Sequence, residues 1–269
     1  MENKHLKRAL LINDLSCFGK CSLTVSIPII SSQGIETIPL PTLTLSNHTG
    51  FDNYYVKDNS EELINIAKIW KKQDIYFDLI YTGFFKDYKQ INEVAKIIHD
   101  FKKEDTLLFV DPILGEKGKL FKCFDDNYLE AMKNLVKEAD FIAPNITEAS
   151  LLTDSDINQN PIDIINKFNN DYVVITGIKK ENKIGYLVKN KEEIFYIFKD
   201  YINEELHGTG DVFSSFLCAY MLNTKSFKDS AIKAADITDK CIKETIKYLP
   251  EHRYGIAFED VLKNPQITE

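Results

Sequence analysis

The sequence predicts an α/β fold in which helices cover both faces of a mostly parallel central sheet. Short, continuously apolar runs such as FDLIYTG (77–83) and TLLFVDP (106–112) alternate with amphipathic stretches of helical length such as 88–101. Strands that are apolar on both faces are typical of parallel pairing with both faces covered. No linker, low-complexity tract or repeat interrupts the 269 residues, so we expect a single domain over residues 1–269.

The other elements continue this alternation. We predict further strands at 7–13, 35–46, 140–145 and 171–177, and further helices at 21–34, 59–73 and 127–139. Pro39 and Pro41 interrupt one strand, which we therefore place near a sheet edge. The polar turn KNKEE within 183–198 predicts a hairpin. After HGTGD (207–211) we expect helices, the first beginning near Val212 and the next, within 227–249, presenting one side made of Ala231, Ala235, Thr238, Cys241 and Ile242.

Composition and charge exclude several functional classes. The net charge of -8 and the pI near 5.3 argue against a general affinity for nucleic acid, which requires excess Lys and Arg. No apolar run approaches the ~20 residues of a membrane span, and the apolar run near the N-terminus is too short for a signal peptide. Five scattered cysteines without a CxxC pair predict reduced thiols rather than disulfides or a zinc site. We therefore expect a cytoplasmic protein with neither nucleic-acid nor membrane partners.

Polar residues close several of the predicted strands. In an open parallel sheet, ligands bind beyond the carboxyl ends of the strands, so these residues are the first candidates for a binding site. They are Asn13 and Asp14, Thr82 and Gly83, Asp111, Asn145, and Thr176 with Gly177.

The stretch HGTGD places two glycines within three residues and an aspartate directly after them. Such a turn can direct backbone N–H groups inward at the start of a helix, which makes a pocket for an anion such as a transferring phosphoryl group. Asp211 would then be placed to accept a proton from an attacking hydroxyl. The alternative is that Asp211 merely caps the helix. The pattern alone leaves both interpretations open.

Four motifs in the same chain order carry a resemblance to a known family. HGTGD resembles the anion hole of the ribokinase superfamily, and SNHTG (46–50), VDPILG (110–115) and APNITEASLL (143–152) resemble segments of pyridoxal kinases. The N-terminal INDLSCFGKCSL (12–23) extends the likeness over nearly the whole chain. The resemblance implies a ribokinase-like three-layer sandwich and ATP-dependent phosphorylation of the 5'-hydroxymethyl group of pyridoxal, pyridoxine or pyridoxamine in vitamin B6 salvage.

The resemblance also implies roles for individual residues. Asp211 would be the catalytic base, and the amides of Gly208, Thr209 and Gly210 would hold charge on the moving phosphoryl group. ATP would contact Asn145, Glu148, Thr176 and Gly177, with Asp111 and Glu148 serving Mg²⁺. The vitamer would contact Asp14, Ser46, His48, Thr49 and Phe84. Residues 115–126 resemble the flap over the nucleotide, and the family further implies a homodimer and a monovalent cation such as K⁺.

Two positions depart from the better known pyridoxal kinases: Asp14 stands where they carry serine, and Phe84 where they carry tyrosine. A carboxylate beside the pyridine nitrogen favours its protonated form, so we expect a shifted preference among the vitamers, or one toward a related pyrimidine. The nearest alternative is a hydroxymethylpyrimidine kinase or a dual-specificity enzyme of thiamine synthesis, although the anion hole of that branch commonly ends in cysteine. A binding protein without catalysis and a purely structural partner protein are further alternatives, and the latter leaves the polar strand ends unexplained.

Overall fold

A computed structural model describes residues 6–204, 206–248 and 254–263. Its strands are β1 (Arg8–Ser16), β2 (Glu36–Leu45), β3 (Val56–Asp58), β4 (Leu79–Thr82), β5 (Leu107–Val110), β6 (Gly115–Glu116), β7 (Lys119–Leu120), β8 (Phe141–Ile142), β9 (Tyr172–Lys180), β10 (Lys183–Lys189) and β11 (Ile194–Asp200). Its helices are α1 (Leu23–Ser32), α2 (Ser60–Lys72), α3 (Tyr88–Phe101), α4 (Asp126–Glu138), α5 (Ile146–Leu152), α6 (Pro161–Ile165), α7 (Thr209–Thr224), α8 (Phe227–Ile246) and α9 (Glu259–Leu262).

Nine of the strands form one sheet in the order β11-β10-β9-β8-β5-β4-β1-β2-β3. The six strands from β9 to β2 are parallel, and antiparallel pairing occurs only towards the two ends, at β9-β10-β11 and at β2-β3. The carboxyl ends of the six parallel strands therefore meet at one edge of the sheet. The prediction of a mostly parallel sheet is confirmed.

The core has two apolar layers, one on each face of the sheet. Alternate residues of β1 show the division, because Leu10 and Ile12 pack with α2, α3 and α4 whereas Ala9 and Leu11 pack with α1, α7 and α8. All four are buried completely or nearly so, as expected for a strand covered on both faces. The arrangement is a three-layer sandwich, as predicted.

Several boundaries follow from local chemistry. Asp87 and Asp125 begin α3 and α4 as caps whose side chains accept hydrogen bonds from the amides of Gln90 and Tyr128. Strand β2 is the second strand from one end of the sheet and therefore lies near the sheet edge, as predicted. Its two prolines lie outside its pairing with the end strand β3, which covers only residues 43–45. The hairpin around KNKEE is also confirmed, as β10 and β11.

Several predicted boundaries were wrong, among them that of the strand expected at 140–145, which covers only Phe141–Ile142. Strand β1 runs to Ser16 rather than ending at residue 13, with a register irregularity between Asn13 and Leu15. Strand β9 does not end at Thr176 and Gly177 but continues to Lys180, because antiparallel β10 takes over its pairing where parallel β8 has ended. Helix α7 begins at Thr209 rather than near Val212, since Gly208 turns the chain directly into it.

The predicted face of α8 is buried at Ala231, Ala235, Thr238 and Cys241 and half-buried at Ile242. The helix ends at Ile246, and the last residue of its predicted span, Leu249, lies outside the described residues, as do residues 1–5. No helix within the described ranges combines the length and apolar character needed to cross a bilayer.

Candidate active site

A cleft of about 140 Å³ opens at the carboxyl edge of the parallel strands, between the loop after β5, helix α5 and the start of α7. Seven residues singled out from the sequence line it together: Asp111, Asn145, Glu148, Thr176, Gly208, Gly210 and Asp211. They come from four separate parts of the chain, and the sheet edge brings them together as the strand-end argument predicts.

The N-terminus of α7 forms one wall of the cleft. Gly208 precedes the helix at φ 84° and ψ 5°, a left-handed conformation, and a Cβ at this position would overlap the carbonyl oxygen of Lys20. The first hydrogen bond of the helix runs from the amide of Val212 to the carbonyl of Gly208, so the amides of the first turn remain for an external acceptor. A Cβ at Gly210 would meet no atom within 4 Å, which leaves open space beside these amides. This end of α7 can therefore hold an anion.

Asp211 is the third residue of α7 and lies in the first turn rather than at the cap, which is Gly208. Asp211 is half-buried at the cleft, and partial loss of hydration raises the pKa of its carboxyl to about 7, with the charges of Asp111 and Asp14 acting in the same direction. The backbone N–H of Ser22 favours the carboxylate. Ser22 is itself buried at φ 51° and ψ -126°, a conformation that glycine adopts more readily. A proton acceptor with a pKa near neutrality is thus held beside the anion wall.

Asn145 and Glu148 form a capping box at the start of α5. The Asn145 side chain accepts a hydrogen bond from the Glu148 amide at 3.0 Å, and Glu148 Oε2 accepts one from the Asn145 amide at 2.7 Å. The other oxygen of Glu148 accepts a hydrogen bond from the amide of Leu114 at 3.2 Å. Burial, followed by the charge of Asp111, nevertheless raises the pKa of Glu148 to about 8. Glu148 therefore ties the loop after β5 to α5 and also places a carboxyl group in the cleft.

Asp111 follows β5 and is buried, and this burial raises the pKa of its carboxyl to about 7. Its Oδ2 accepts a hydrogen bond from the hydroxyl of Ser214 at 2.8 Å. Across the part of the chain that the structure describes, no Lys, Arg or His forms an ion pair with Asp111, Glu148 or Asp211. Within those described residues no basic side chain therefore favours the charged forms of these carboxyl groups, whereas a bound cation would do so.

A divalent cation shared with phosphate oxygens fits this donor set. Mg²⁺ commonly binds through one or two carboxylates and keeps its other positions for water and substrate phosphates. Asp111 and Glu148 supply two carboxyl groups to the same cleft that the start of α7 lines. Among residues 6–204, 206–248 and 254–263 no cluster of three or more His, Cys, Asp or Glu side chains forms a closed metal site.

The predicted flap contains a short hairpin, β6-β7, outside the main sheet. Its turn residues, Lys117 and Gly118, have φ values of 53° and 79°, as hairpins with two residues at positive φ require. The amide of Gly118 donates to Thr147 Oγ1 at 3.0 Å, and the Asn145 side chain donates to the carbonyl of Gly115 at 3.0 Å. The hairpin is therefore docked on α5, beside the capping box.

Two of the residues predicted to contact the vitamer are held together by a third. Asn13 Oδ1 accepts hydrogen bonds from the amides of Asp14 at 2.9 Å and Phe84 at 2.8 Å. The buried Asp14 carboxylate accepts a hydrogen bond from Ser16 at 3.0 Å, and burial raises its pKa. Asp14 lies close enough to Asp211 for its charge to raise the pKa of that base. Asp14 therefore lies near Asp211, and Asn13 holds the backbone of Phe84 beside Asp14, although neither residue lines the cleft itself.

His48 links the segment 46–50 to the anion wall. A Cβ at Gly19 would overlap its ring, and one at Gly50 would lie 2.7 Å from its Cε1 atom, so the imidazole fills a slot between two glycines. Its Nδ1 accepts a hydrogen bond from the Gly50 amide at 3.0 Å, and its ring centroid lies 4.9 Å from that of His207. Burial, and then His207, lowers the pKa of His48. Ser46 and Thr49, the other predicted residues of this segment, are exposed.

Sequence reasoning missed three residues that contribute to the site. Ser214 faces inward from α7 without any local signal, because a serine in an apolar helix reads as core. Ser22 favours the Asp211 carboxylate through its backbone N–H, and this depends on an unusual backbone conformation that the sequence does not reveal. His207 was quoted only as part of the anion motif, and its contact with His48 depends on folding.

A family model described as phosphomethylpyrimidine kinase matches residues 35–255. The chain belongs to this family. A solved structure of a candidate phosphomethylpyrimidine kinase from Bacteroides thetaiotaomicron is 32% identical, with a TM-score of 0.93 over 99% of this chain and 96% of that one. The same bacterium provides an orthorhombic form with pyridoxal, which is 32% identical with a TM-score of 0.89 over 97% of this chain and 96% of that one.

Pyridoxal kinases are also similar to the chain. The structure of pyridoxal kinase from Lactobacillus plantarum is 26% identical with a TM-score of 0.90, over 96% of both chains. The curated pyridoxal kinase of Dictyostelium discoideum is 27% identical over 80% of this chain and 78% of its own length. The family comparison confirms the predicted resemblance to pyridoxal kinases, and the solved structures confirm the fold.

Proposed function

We propose that this protein transfers the terminal phosphoryl group of ATP to the hydroxymethyl group of a B6 vitamer. The observation that carries the proposal is the single cleft in which a carboxyl group of near-neutral pKa, Asp211, meets both a helix N-terminus and two buried acids. Several similar proteins are named pyridoxal kinases, and one similar structure contains pyridoxal. These likenesses support a heterocyclic alcohol as the acceptor.

Asp211 acts as the general base in this proposal. It removes the proton from the hydroxymethyl group as that oxygen attacks the phosphoryl group, and a pKa of about 7 suits proton transfer near neutral pH. The amides of Gly208, Thr209 and Gly210 donate hydrogen bonds to the oxygens of the group in transit. Donors aimed in advance at developing charge typically contribute a factor of about 10²–10³ each to the rate.

The nucleotide end of the cleft is assigned to the residues around α5 and β9. Asn145, Glu148, Thr176 and Gly177 contact ATP, and Asp111 with Glu148 would hold Mg²⁺, directly or through water. The metal, when bound, neutralises charge on the phosphates. The two oxygens of Glu148 already accept amide hydrogen bonds, which favours a contact through water at that residue.

The vitamer lies on the other side of Asp211, against Asp14 and Phe84. His48 fixes the segment 46–50 there through its slot between Gly19 and Gly50. Ser46 and Thr49 are exposed and can meet the ring substituents, although the Ser46 hydroxyl already bonds to Asn47 and to the amide of Tyr55. The requirement for K⁺, the homodimer and the cytoplasmic location stay predictions.

Hydroxymethylpyrimidine is the second candidate acceptor, because the matching family model is described as phosphomethylpyrimidine kinase. An aspartate at position 211 favours the B6 vitamer, since the anion hole of the pyrimidine branch commonly ends in cysteine. Both acceptors are flat nitrogen heterocycles with a hydroxymethyl group, so only turnover separates them.

The experiment is an ADP-release assay with MgATP and a panel of pyridoxal, pyridoxine, pyridoxamine and hydroxymethylpyrimidine. We expect turnover with at least one B6 vitamer, exceeding that with the pyrimidine. Asp211→Asn should retain ATP binding while kcat falls about 10²–10⁴-fold, the usual contribution of a general base. Asp229→Asn is the matched control, because Asp229 occupies the same first-turn position in α8, away from the cleft. Unchanged turnover in Asp211→Asn, or turnover with none of the vitamers, contradicts the proposal.

A further inference from the structure

The carboxyl of Asp111 is held by the same helix that carries the proposed base. The Ser214 hydroxyl donates to Asp111 Oδ2 at 2.8 Å, and Ser214 is 1% exposed. Ser214 follows Asp211 by three residues and so projects from the same face of α7. One helix face therefore positions both carboxyl groups.

This hydrogen bond is unusual among the buried hydroxyls of the neighbouring helices. Ser215, Thr238 and Thr245 all donate to the carbonyl four residues earlier in their own helix, at 2.6, 2.7 and 2.6 Å. That local bond is the common choice for a serine or threonine inside a helix. Ser214 instead donates across the fold to a residue 103 positions away. Its hydroxyl is directed at the carboxyl group.

A second buried hydroxyl lies behind Ser214. Tyr81, on β4, is 1% exposed, and its hydroxyl has no hydrogen-bond partner at bonding distance within the described residues. Burial and then the charge of Asp111 raise the pKa of the Tyr81 hydroxyl, whereas the Ser214 side chain lowers it, so both residues lie close to that hydroxyl. A serine oxygen that donates its proton to a carboxylate keeps acceptor capacity. The Ser214 oxygen can thus serve as an acceptor for the Tyr81 hydroxyl.

We propose that Ser214 is a positioning residue: by fixing Asp111 Oδ2 it presents the other oxygen of Asp111 to the cation and phosphates in the cleft, with Tyr81 supporting it from behind. The inference rests on the proposed function in assigning Asp111 to the metal–phosphate end. Groups that orient a metal-binding side chain typically change metal affinity about 10–100-fold when removed.

The chain provides a matched pair of variants for the test. Ser214→Ala removes the bond to Asp111, whereas Ser215→Ala makes the same substitution at the next residue, equally buried, and removes only a bond to the helix backbone. Mn²⁺ affinity in the presence of ATP is measured from the electron paramagnetic resonance signal of free Mn²⁺, after subtraction of a protein-free titration at the same ATP concentration. We expect about a tenfold loss or more for Ser214→Ala, at most about twofold for Ser215→Ala, and a smaller loss in the same direction for Tyr81→Phe.

Thermal unfolding confirms that each variant is folded. Should Ser214→Ala fail to fold, Ser214→Cys replaces it, since a thiol has nearly the same shape and is a weak donor. Equal Mn²⁺ affinity in the 214 and 215 variants, or a wild type that binds no Mn²⁺ with ATP, overturns the inference. The titration needs no turnover, so the two proposals can fail separately. If the wild type phosphorylates none of the heterocycles but Ser214→Ala still binds Mn²⁺ more weakly than Ser215→Ala, only the proposed function is refuted.

Discussion

The two glycines of the anion wall should respond in opposite ways to the same substitution. Gly208 has φ 84°, and its added Cβ would lie well under 3.0 Å from the Lys20 carbonyl oxygen. The left-handed conformation costs an alanine about 1–2 kcal/mol, and the overlap with backbone about 1–3 kcal/mol more. Gly208→Ala should therefore lose about 2–5 kcal/mol of the free energy of unfolding, a large part of the ~5–15 kcal/mol that natural proteins possess.

Gly210→Ala should leave the fold intact and impair the chemistry. The added Cβ meets no atom within 4 Å, and Gly210 lies inside α7, where alanine is favoured over glycine by about 0.5–1 kcal/mol. The methyl group, however, enters the space beside the first-turn amides that line the cleft. If these amides hold the phosphoryl group, displacing it should lower kcat about 10²-fold or more.

Two measurements check this pair of predictions. Chemical denaturation gives the free energy of unfolding of each variant, and ADP release with the best acceptor gives kcat. A Gly210→Ala protein with wild-type kcat would refute the role of the open space, because nothing else there touches the new methyl group. A Gly208→Ala protein as stable as wild type would refute the claimed conflict with Lys20.

The remaining predictions concern the carboxyl groups. The pKa values of Asp111 and Glu148 are raised to about 7 and 8 from the ordinary values of 3.8 and 4.5, so their contribution to stability is present below about pH 4 and is lost as pH rises through 7–8. The thermal midpoint of the ligand-free protein should therefore fall between pH 5 and pH 8. Asp111→Asn should make this fall smaller, and MgATP should oppose it. A thermal midpoint that does not change with pH in either wild type or Asp111→Asn would contradict this. Asp14→Ser should change the ratios of kcat/KM among pyridoxal, pyridoxine and pyridoxamine, because a carboxylate favours a protonated ring nitrogen, and identical ratios would dispose of the idea.

The sheet could be predicted because its signal is local. Apolar runs alternate with amphipathic helices, and the turn KNKEE separates two strands that indeed form a hairpin. The end of β9 could not be predicted, because it depends on which neighbour pairs with the strand beyond Thr176. Nothing in the residues around Gly177 encodes that exchange of partners.

The site was predictable where it follows strand ends and less so where it depends on contacts across the fold. Asp111 and Asn145 were found because they follow apolar runs. Ser214 lies in a helix whose inner face is apolar, so its bond to Asp111 exists only once α7 packs beside β5. The contact of His48 with the vitamer stays a prediction, and the packing of its ring between Gly19 and Gly50 could not be predicted because two different loops make it.

Glu148 shows why the structural and chemical interpretations of one residue need not compete. Its carboxyl accepts amide hydrogen bonds from Asn145 and Leu114, and such bonds favour the charged form. Burial and the charge of Asp111 oppose that form more strongly, so the pKa still rises to about 8. The capping box thus fixes the position of the side chain without satisfying its charge. A cation that arrives with phosphate would stabilise the charge of a group that is already in place, and its binding energy need not be spent on ordering Glu148.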